Sequence, residues 1–204
     1  MDDIVENKRR RNRRRKRRLS AAVAFLFFAT LFVWFLESQD TTTLIVTRHA
    51  EAADLGGRDP GLTPAGQRRA NVLARTMRLI NVDFGVDGIF VAPTRRARDT
   101  AMPLAMRSDA PVQTIEDPAD ADAVIQKIMT EYKGDVVLVV TDAEYIKPLV
   151  RAMKGSRKVQ PIDPDEHDNI YIVTRPWFGK VETIRLKYGA PYRPRPEGED
   201  QPES

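Results

Sequence analysis

The chain has 204 residues, of which 42% are hydrophobic and 30% charged, so it can form a compact domain and is neither collagen-like nor fully disordered. It contains no cysteine and two histidines, which excludes disulfides, thiolate metal sites and a cysteine nucleophile, and we expect no metal or cofactor. Residues 1–37 carry ten Lys or Arg and four Asp or Glu, whereas the rest carries 23 basic and 25 acidic groups. The net charge of +4 therefore comes from a short tail, and the remainder gives no electrostatic reason to bind nucleic acid.

The first 36 residues have the pattern of a membrane anchor. Every residue from Lys8 to Arg18 except Asn12 is basic, and residues 19–36 then run without a charge. At 1.5 Å per residue this apolar stretch makes about 27 Å of helix, close to the ~30 Å hydrocarbon thickness of a bilayer. A basic segment beside such a span is typical of its cytoplasmic end. We therefore predict a cytoplasmic tail (1–18), a transmembrane helix (19–36) and a domain outside, which is the periplasmic face in a bacterium.

Two alternatives to this anchor stay open. A cleaved signal peptide would carry small residues three and one before the cut, and no such pair follows Leu36. The basic run could instead be a nucleic-acid or nuclear-import patch, but it directly abuts the apolar segment, as topology determinants do. The lipid bilayer is thus the partner expected for residues 19–36, with a membrane protein as a further candidate.

After a short tether, strand and helix patterns alternate along the chain. Apolar, β-branched runs predict strands at 43–47, 88–91, 112–115 and 136–141, and a hairpin at 170–174 and 181–186. Helices are predicted from Pro64, from Arg95 to Met106, from Pro118, and after the fourth strand to about Met153. This order predicts an α/β domain over residues 43–191, with a mainly parallel sheet covered by helices on both faces. Residues 192–204 are rich in Pro and Glu and are expected to be disordered.

Ligands of such sheets bind beyond the carboxyl ends of the strands. Arg48-His49-Ala50-Glu51 follows the first strand, Arg96 lies shortly after the second, and Asp142 follows the fourth. An imidazole can accept a phosphoryl group covalently, and guanidinium groups match phosphate oxygens. The pattern therefore predicts a phosphate site that faces away from the membrane or sideways, since His49 lies at the far end of the first strand.

Four segments, in order, resemble motifs of the histidine phosphatase superfamily, which includes cofactor-dependent phosphoglycerate mutases and phosphohistidine phosphatases. LIVTRHAEA is similar to the strand ending in Arg-His-Gly-Glu, DPGLTPAGQRRA to D-x-L-T-x-x-G, and FVAPTRRARDTA to S-P-x-x-R-A-x-x-T-A. VVLVVTDAEYIKPLV is similar to the strand that normally ends in a second histidine. The resemblance covers residues 43 to about 191. It implies a phosphoglycerate mutase-like fold and a phosphorylated small molecule or phosphoprotein as the substrate.

The same resemblance implies roles for individual residues. His49 would be the nucleophile that becomes phosphohistidine, Arg48 and Arg96 would clamp the phosphate, and Arg58 would add a third guanidinium. Glu51 would lie beside the pocket as a further catalytic residue, with His49 and Asp142. The second histidine of the chain, His167, follows a run of acidic residues, and we expect it to be a solvated loop residue.

Asp142 departs from the family pattern, because it stands where the second, phosphate-binding histidine is expected. At ~4 Å and an effective dielectric near 20, a pair of unit charges interacts by roughly 4 kcal/mol, here with an unfavourable sign. Crowded oxyanions could raise the pKa of Asp142, which would then act as a general acid. Two functions stay open: a phosphatase that works through His49, and a pseudophosphatase that binds a phosphorylated ligand or acts as a scaffold.

Overall fold

The computed structural model describes residues 2–37, 40–53, 59–80 and 85–193, and for residues 2–15, 36–37 and 80 the backbone alone. The chain divides into two compact units, residues 1–39 and 40–204. The first contains one helix, α1 (Asp2–Glu37). Its segment Lys16–Phe35 has the length and composition to cross a membrane, a test that a signal sequence also passes. The predicted transmembrane segment is thus a candidate on its length and composition, the same two properties from which it was predicted.

The second unit is an α/β domain built on one six-stranded sheet. Its elements are β1 (Thr42–Arg48), α2 (Pro64–Ile80), β2 (Gly88–Val91), α3 (Arg95–Ser108), β3 (Val112–Thr114), α4 (Ala121–Glu131), β4 (Val136–Thr141), α5 (Ala143–Ala152), β5 (Asn169–Arg175) and β6 (Glu182–Lys187). The strand order is β3-β2-β4-β1-β5-β6. The first four strands pair in parallel. β5 pairs antiparallel with β1, and β6 pairs antiparallel with β5. The predicted α/β fold is confirmed, with a mixed sheet because the hairpin joins it at one edge.

The central strands β1 and β4 are apolar along almost their whole length because both of their faces are covered. Successive side chains of a strand point to opposite faces. Leu44 and Val46 therefore pack in one core with the apolar residues of α4 and α5. Ile45 packs in the other core with residues of α2 and α3. Helices thus cover both faces, and the carboxyl ends of the parallel strands stay open.

Two predicted boundaries differ from the structure or lie outside it. The helix expected to open at Pro118 begins at Ala121, because the Asp120 side chain caps it by accepting a hydrogen bond from the Ala123 N–H (2.9 Å). The predicted disordered tail began at residue 192, yet the Tyr192 N–H donates to Asp168 Oδ2 at 2.8 Å. The rest of that tail, residues 194–204, lies outside the described residues.

Candidate active site

Adjacent strand ends bring the predicted site residues together at the carboxyl edge of the sheet. Arg48 pairs with Thr141 in the register of β1 and β4, and the His49 N–H donates to the Thr141 carbonyl oxygen at 3.0 Å. His49 and Asp142 therefore follow neighbouring strands directly. Arg96 lies in the first turn of α3, which begins just after β2, the neighbour of β4 on its other side.

The imidazole of His49 is buried, with 5% of the residue exposed. Its Nδ1 lies 2.7 Å from the Ala50 carbonyl oxygen. Because a carbonyl only accepts, this contact assigns the proton of a neutral ring to Nδ1 and leaves the lone pair on Nε2. Nε2 lies 3.4 Å from Asp142 Oδ1. The nitrogen available for nucleophilic attack is thus the one that faces the carboxylate.

Arg96 binds the same carboxylate oxygen. Its Nη2 and Nε donate to Asp142 Oδ1 at 2.6 and 3.1 Å. Hydrogen bonds from a protonated His49 and from Arg96 lower the pKa of Asp142 to about 2, against the opposing effect of its burial. With the neutral ring, whose Nε2 carries a lone pair, the hydrogen bond from His49 is absent and Arg96 alone stabilises the carboxylate. The expectation that crowded oxyanions raise this pKa concerns a bound phosphate and stays a prediction. The protein's own neighbours of the carboxyl group are cationic or donate hydrogen bonds, and they lower it. Asp142 is a carboxylate at neutral pH.

Arg48 is held by backbone oxygens of the loop before β5. Its Nη1 donates to the carbonyl oxygens of Asp163 (3.1 Å), Pro164 (2.5 Å) and Glu166 (3.3 Å). Burial lowers the pKa of Arg48, but a guanidinium stays charged at neutral pH. The loop thus orients Arg48 without neutralising it.

Arg48, Arg96 and Asp142 line one cleft of about 830 Å³. Its other walls come from the start of α3, the start of α5 and the segment 159–164. Of the residues that the structure describes, neither His49 nor Glu51 lines this cleft, and His49 contacts its wall through Asp142. The cleft thus contains the two arginines and Asp142, and the imidazole of His49 lies behind Asp142.

Two helices begin at this cleft. Thr94 caps α3 and Ala143 is the first residue of α5, and both residues line the cleft. The partial positive charge of helix N-termini favours anions. Asp142 is the N-cap residue of α5, but its side chain turns to Arg96 and His49 rather than to the helix. The arrangement suits a phosphoryl group, and in the resting structure an internal carboxylate occupies it.

The structure places Glu51 in an ion pair away from the cleft. Arg69 Nε donates to both of its carboxylate oxygens, at 2.9 and 3.0 Å. Burial raises the pKa of Glu51, but the hydrogen bonds and charge of Arg69 and a backbone hydrogen bond together outweigh it, and the net shift is downward. Arg69 also donates to the carbonyl oxygens of Tyr188 and Ala190. Through Arg69, Glu51 thus helps to hold the segment after β6 against α2. Arg58, the remaining predicted phosphate ligand, lies outside the described residues.

His167 is not a solvated loop residue, so that prediction is wrong. It is 8% exposed, and its Nδ1 lies 2.8 Å from the carbonyl oxygen of His49. Burial and the nearby Arg48 lower the pKa of His167 to about 4. A neutral His167 therefore supports the backbone of His49 from the loop before β5.

The acidic neighbours of His167 misled the prediction because they too are buried. Glu166 pairs with Arg185 (2.8 Å) and Lys187, and Asp168 pairs with Lys187 (2.6 Å). Arg185 and Lys187 alternate along β6, so their side chains lie on one face. The basic residues at alternate positions of β6 were the sequence feature that pointed to partners for these acidic residues.

Thr100 is a further residue of the site that the sequence did not single out. Its buried hydroxyl accepts from the Ala50 N–H at 2.9 Å and donates to the Arg96 carbonyl oxygen at 2.7 Å. It therefore joins the backbone beside His49 to the first turn of α3. Gly66 has a similar effect on α2, because a Cβ there would overlap the Glu51 carbonyl oxygen.

Comparison with known proteins agrees with this fold. Residues 44–120 match the family model of the histidine phosphatase superfamily, branch 1. The protein histidine phosphatase SixA, solved with tungstate, aligns at 20% identity and a TM-score of 0.53, over 68% of this chain and 95% of its own. A mycobacterial glucosyl-3-phosphoglycerate phosphatase aligns at 15% identity and 0.53, over 66% and 90%. A second mycobacterial hydrolase aligns at 14% identity and 0.55, over 78% and 94%.

At these identities the solved structures establish the fold. No curated protein matches the chain significantly in sequence. The family model covers the segment from β1 to the turn before α4, which includes His49 and Arg96. Over residues 44–120 the chain is similar in sequence to the histidine phosphatase superfamily, and its α/β domain shares the fold of compact phosphatases such as SixA.

Proposed function

We propose that the chain is a membrane-anchored phosphatase that hydrolyses phosphomonoesters or phosphoprotein groups through a phosphohistidine at His49. The observation that carries the proposal is the 2.7 Å contact of His49 Nδ1 with the Ala50 carbonyl oxygen, which leaves Nε2 as the nucleophile. The phosphatases among its structural neighbours support this class of reaction. In this proposal α1 is the anchor, its N-terminus is cytoplasmic and the domain lies on the other side of the membrane.

The reaction balances if the substrate supplies a proton. A phosphomonoester binds as its monoanion and passes its proton to Asp142, which becomes a neutral acid. Nε2 of His49 attacks phosphorus, the bond to the leaving oxygen breaks, and that oxygen takes the proton from Asp142. Water then attacks the phosphohistidine and gives a proton to Asp142, and the nitrogen–phosphorus electron pair returns to Nε2. Phosphate leaves after it recovers the proton.

The two arginines have a separate part in this scheme. Arg96 is released from Asp142 when that group is protonated, so its guanidinium can bind the phosphoryl oxygens together with Arg48. Since phosphomonoesters have a second pKa near 6, the monoanion is abundant below about pH 6. We therefore expect activity to be highest in mildly acidic solution and to fall as the pH rises.

The test is phosphate release from an aryl phosphate by the full chain reconstituted in vesicles. We expect His49→Ala to abolish release and to remove an acid-labile phosphoryl-enzyme that can be trapped in the parent chain. Arg96→Ala should lower kcat about 10²–10³-fold, the usual cost of losing one stabiliser of developing negative charge. Arg95→Ala is the matched control, since Arg95 is exposed and pairs with Asp99. Release that survives His49→Ala refutes the proposal.

A catalytically impaired pseudophosphatase that binds a phosphorylated ligand or acts as a scaffold is the second candidate. It is favoured by Asp142, whose ionised carboxylate holds Arg96 and faces His49 in the resting structure. Asp142→His separates the two functions. An inactive parent chain that gains turnover with this substitution supports the pseudophosphatase, whereas robust parent activity that the substitution leaves unchanged excludes it.

A further inference from the structure

The amino edge of the sheet, opposite the cleft, carries an exposed aromatic turn. Thr42, the first residue of β1, pairs with Arg175, the last residue of β5, so the turn 176–181 between β5 and β6 lies at this edge. In this turn Trp177 is 54% exposed and Phe178 is 82% exposed. Gly179 adopts φ +118°, which favours glycine and allows the chain to reverse directly after the two rings. We call residues 176–181 the aromatic tip.

Other exposed apolar side chains lie at the same edge. Helices α2 and α3 begin near the carboxyl ends of strands and run back, so Leu79 and Met106 in their last turns lie at the amino edge. They are 78% and 79% exposed. Val112, the first residue of β3, is 43% exposed. β3 and the hairpin are at opposite ends of the strand order, so Val112 shares this edge with the aromatic tip without adjoining it.

Basic side chains surround the aromatic tip. Arg175 directly precedes the tip, Lys180 lies within it, and one acidic residue, Glu182, directly follows it. The Ser156 N–H donates to the Thr183 hydroxyl at 2.8 Å, which brings the exposed residues 157–158, an arginine and a lysine, to the base of the hairpin. Aromatic rings amid basic residues suit the headgroup region of a bilayer with anionic lipids.

Chain connectivity identifies which surface this edge can reach. Helix α1 ends at Glu37 and β1 begins at Thr42, and the intervening chain spans at most ~20 Å even when extended. A connection of this length allows the amino end of β1, and with it this edge of the sheet, to reach a membrane that α1 crosses.

We propose that the aromatic tip inserts Trp177 and Phe178 into the headgroup region of the bilayer that holds α1. This inference rests on the membrane anchoring in the proposed function. The tip is a second contact that fixes the orientation of the domain, because one tether alone would let it rotate. The occupant of this edge is lipid, and the cleft stays open to phosphates in solution.

The experiment uses the two tryptophans of the chain, Trp34 and Trp177. Trp34→Phe leaves Trp177 as the sole tryptophan of the full chain, which is reconstituted in vesicles of phosphatidylcholine and phosphatidylglycerol with brominated acyl chains. We expect Trp177 emission to be blue-shifted and at least twofold quenched relative to unbrominated vesicles. The matched control adds Trp177→Phe and Ala119→Trp, which moves the indole to an exposed position in the turn before α4, near the carboxyl edge. This control should not be quenched.

The outcomes separate the inference from the anchor on which it rests. Release of the chain from vesicles in alkaline carbonate refutes the anchor, and with it the reason for placing this edge near lipid. Retention in the membrane, with Trp177 quenched no more than the Ala119→Trp control, overturns the tip proposal alone. Quenching that appears only when other membrane proteins are present assigns the tip to a protein partner and also overturns it.

Discussion

Replacing Asp142 with asparagine removes one negative charge from the wall of the cleft and keeps a side chain of similar size that can still accept from Arg96. A dianion bound by Arg48 and Arg96 would lie about 4 Å from this charge. At an effective dielectric near 20 the repulsion costs about 4 kcal/mol per pair of unit charges. Counting only the nearer of the dianion's two unit charges, and at 1.36 kcal/mol per factor of ten, Asp142→Asn should tighten binding of a tetrahedral dianion at least about 10³-fold at pH 7.

The size of this effect depends on pH in a defined way. Protonating a carboxylate whose pKa is about 2 costs 1.36 kcal/mol for each pH unit above that value. The cost equals the repulsion of about 4 kcal/mol near pH 5. Above about pH 5 the parent chain therefore bears the full repulsion. Below it, the parent binds with Asp142 protonated, and the advantage of the asparagine variant shrinks about tenfold per pH unit.

The same carboxylate stabilises the empty domain. Its pKa falls from 3.8 to about 2 on folding, which is worth about 2 kcal/mol. Because the folded-state pKa is the lower one, this stability is present above about pH 4 and is lost as the pH falls towards 2. Asp142→Asn should thus bind anions more tightly and unfold at lower denaturant, a pair of opposite effects that a general loss of structure does not produce.

Calorimetric titration of the full chain in detergent with sulfate, which stays a dianion over the pH range used, measures the ratio of dissociation constants. Glu144→Gln is the matched control, because Glu144 lines the same wall from the first turn of α5. It should change affinity only a few-fold. The same comparison is repeated with His49→Ala added to the parent chain and to Asp142→Asn. This removes any contribution of the imidazole to the ratio of dissociation constants. A ratio below three at pH 7, or equal effects of the two substitutions, refutes the reasoning.

Three other residues give predictions for stability. The unfolded chain protonates His167 near pH 6.5 and the fold only near pH 4, so about 3 kcal/mol of stability is lost as the pH falls between these values. Urea unfolding should show this loss, and His167→Gln should remove the slope; a slope that persists assigns it to other groups. Arg69→Ala leaves Glu51 without its ion-pair partner and should cost about 3 kcal/mol by the same assay, with partial recovery in Arg69→Lys; an unchanged midpoint contradicts this. Thr100→Val leaves the buried Ala50 N–H without its acceptor and should cost about 1–3 kcal/mol, whereas Thr100→Ser should retain most of the stability; equal losses in the two variants refute the hydrogen-bond explanation.

The sheet could be predicted from the sequence because its signals are local. The runs in β1 and β4 are apolar and β-branched, and the alternation with helical segments requires parallel crossovers. The antiparallel edge also followed from the Gly-Lys turn. The start of α4 was misplaced because Pro118 and Asp120 are both good starting residues, and the choice between them depends on a side-chain hydrogen bond.

The site was less predictable because its contacts depend on distant parts of the chain. That His49, Arg96 and Asp142 come together follows from strand order alone. The burial of His167 does not, since it requires the cations of β6 to neutralise Glu166 and Asp168 across the hairpin. The charge state of Asp142 could not be deduced either, because counting nearby oxyanions predicts a raised pKa and the actual neighbours lower it.

The resting contacts of Asp142 connect stability and chemistry at this site. An imidazole and a guanidinium group that converge without an anion would repel each other once the imidazole is protonated, and Asp142 offsets that repulsion from within the chain. A bound phosphate supplies the same compensation from outside, so the two anions compete for the same cations. A monoanionic substrate protonates Asp142 as it binds and so removes the competing negative charge. A dianion must bind beside the ionised carboxylate of Asp142. The ratio of monoanion to dianion binding is therefore the quantity that distinguishes a phosphatase adapted to acidic surroundings from a module that no longer turns over.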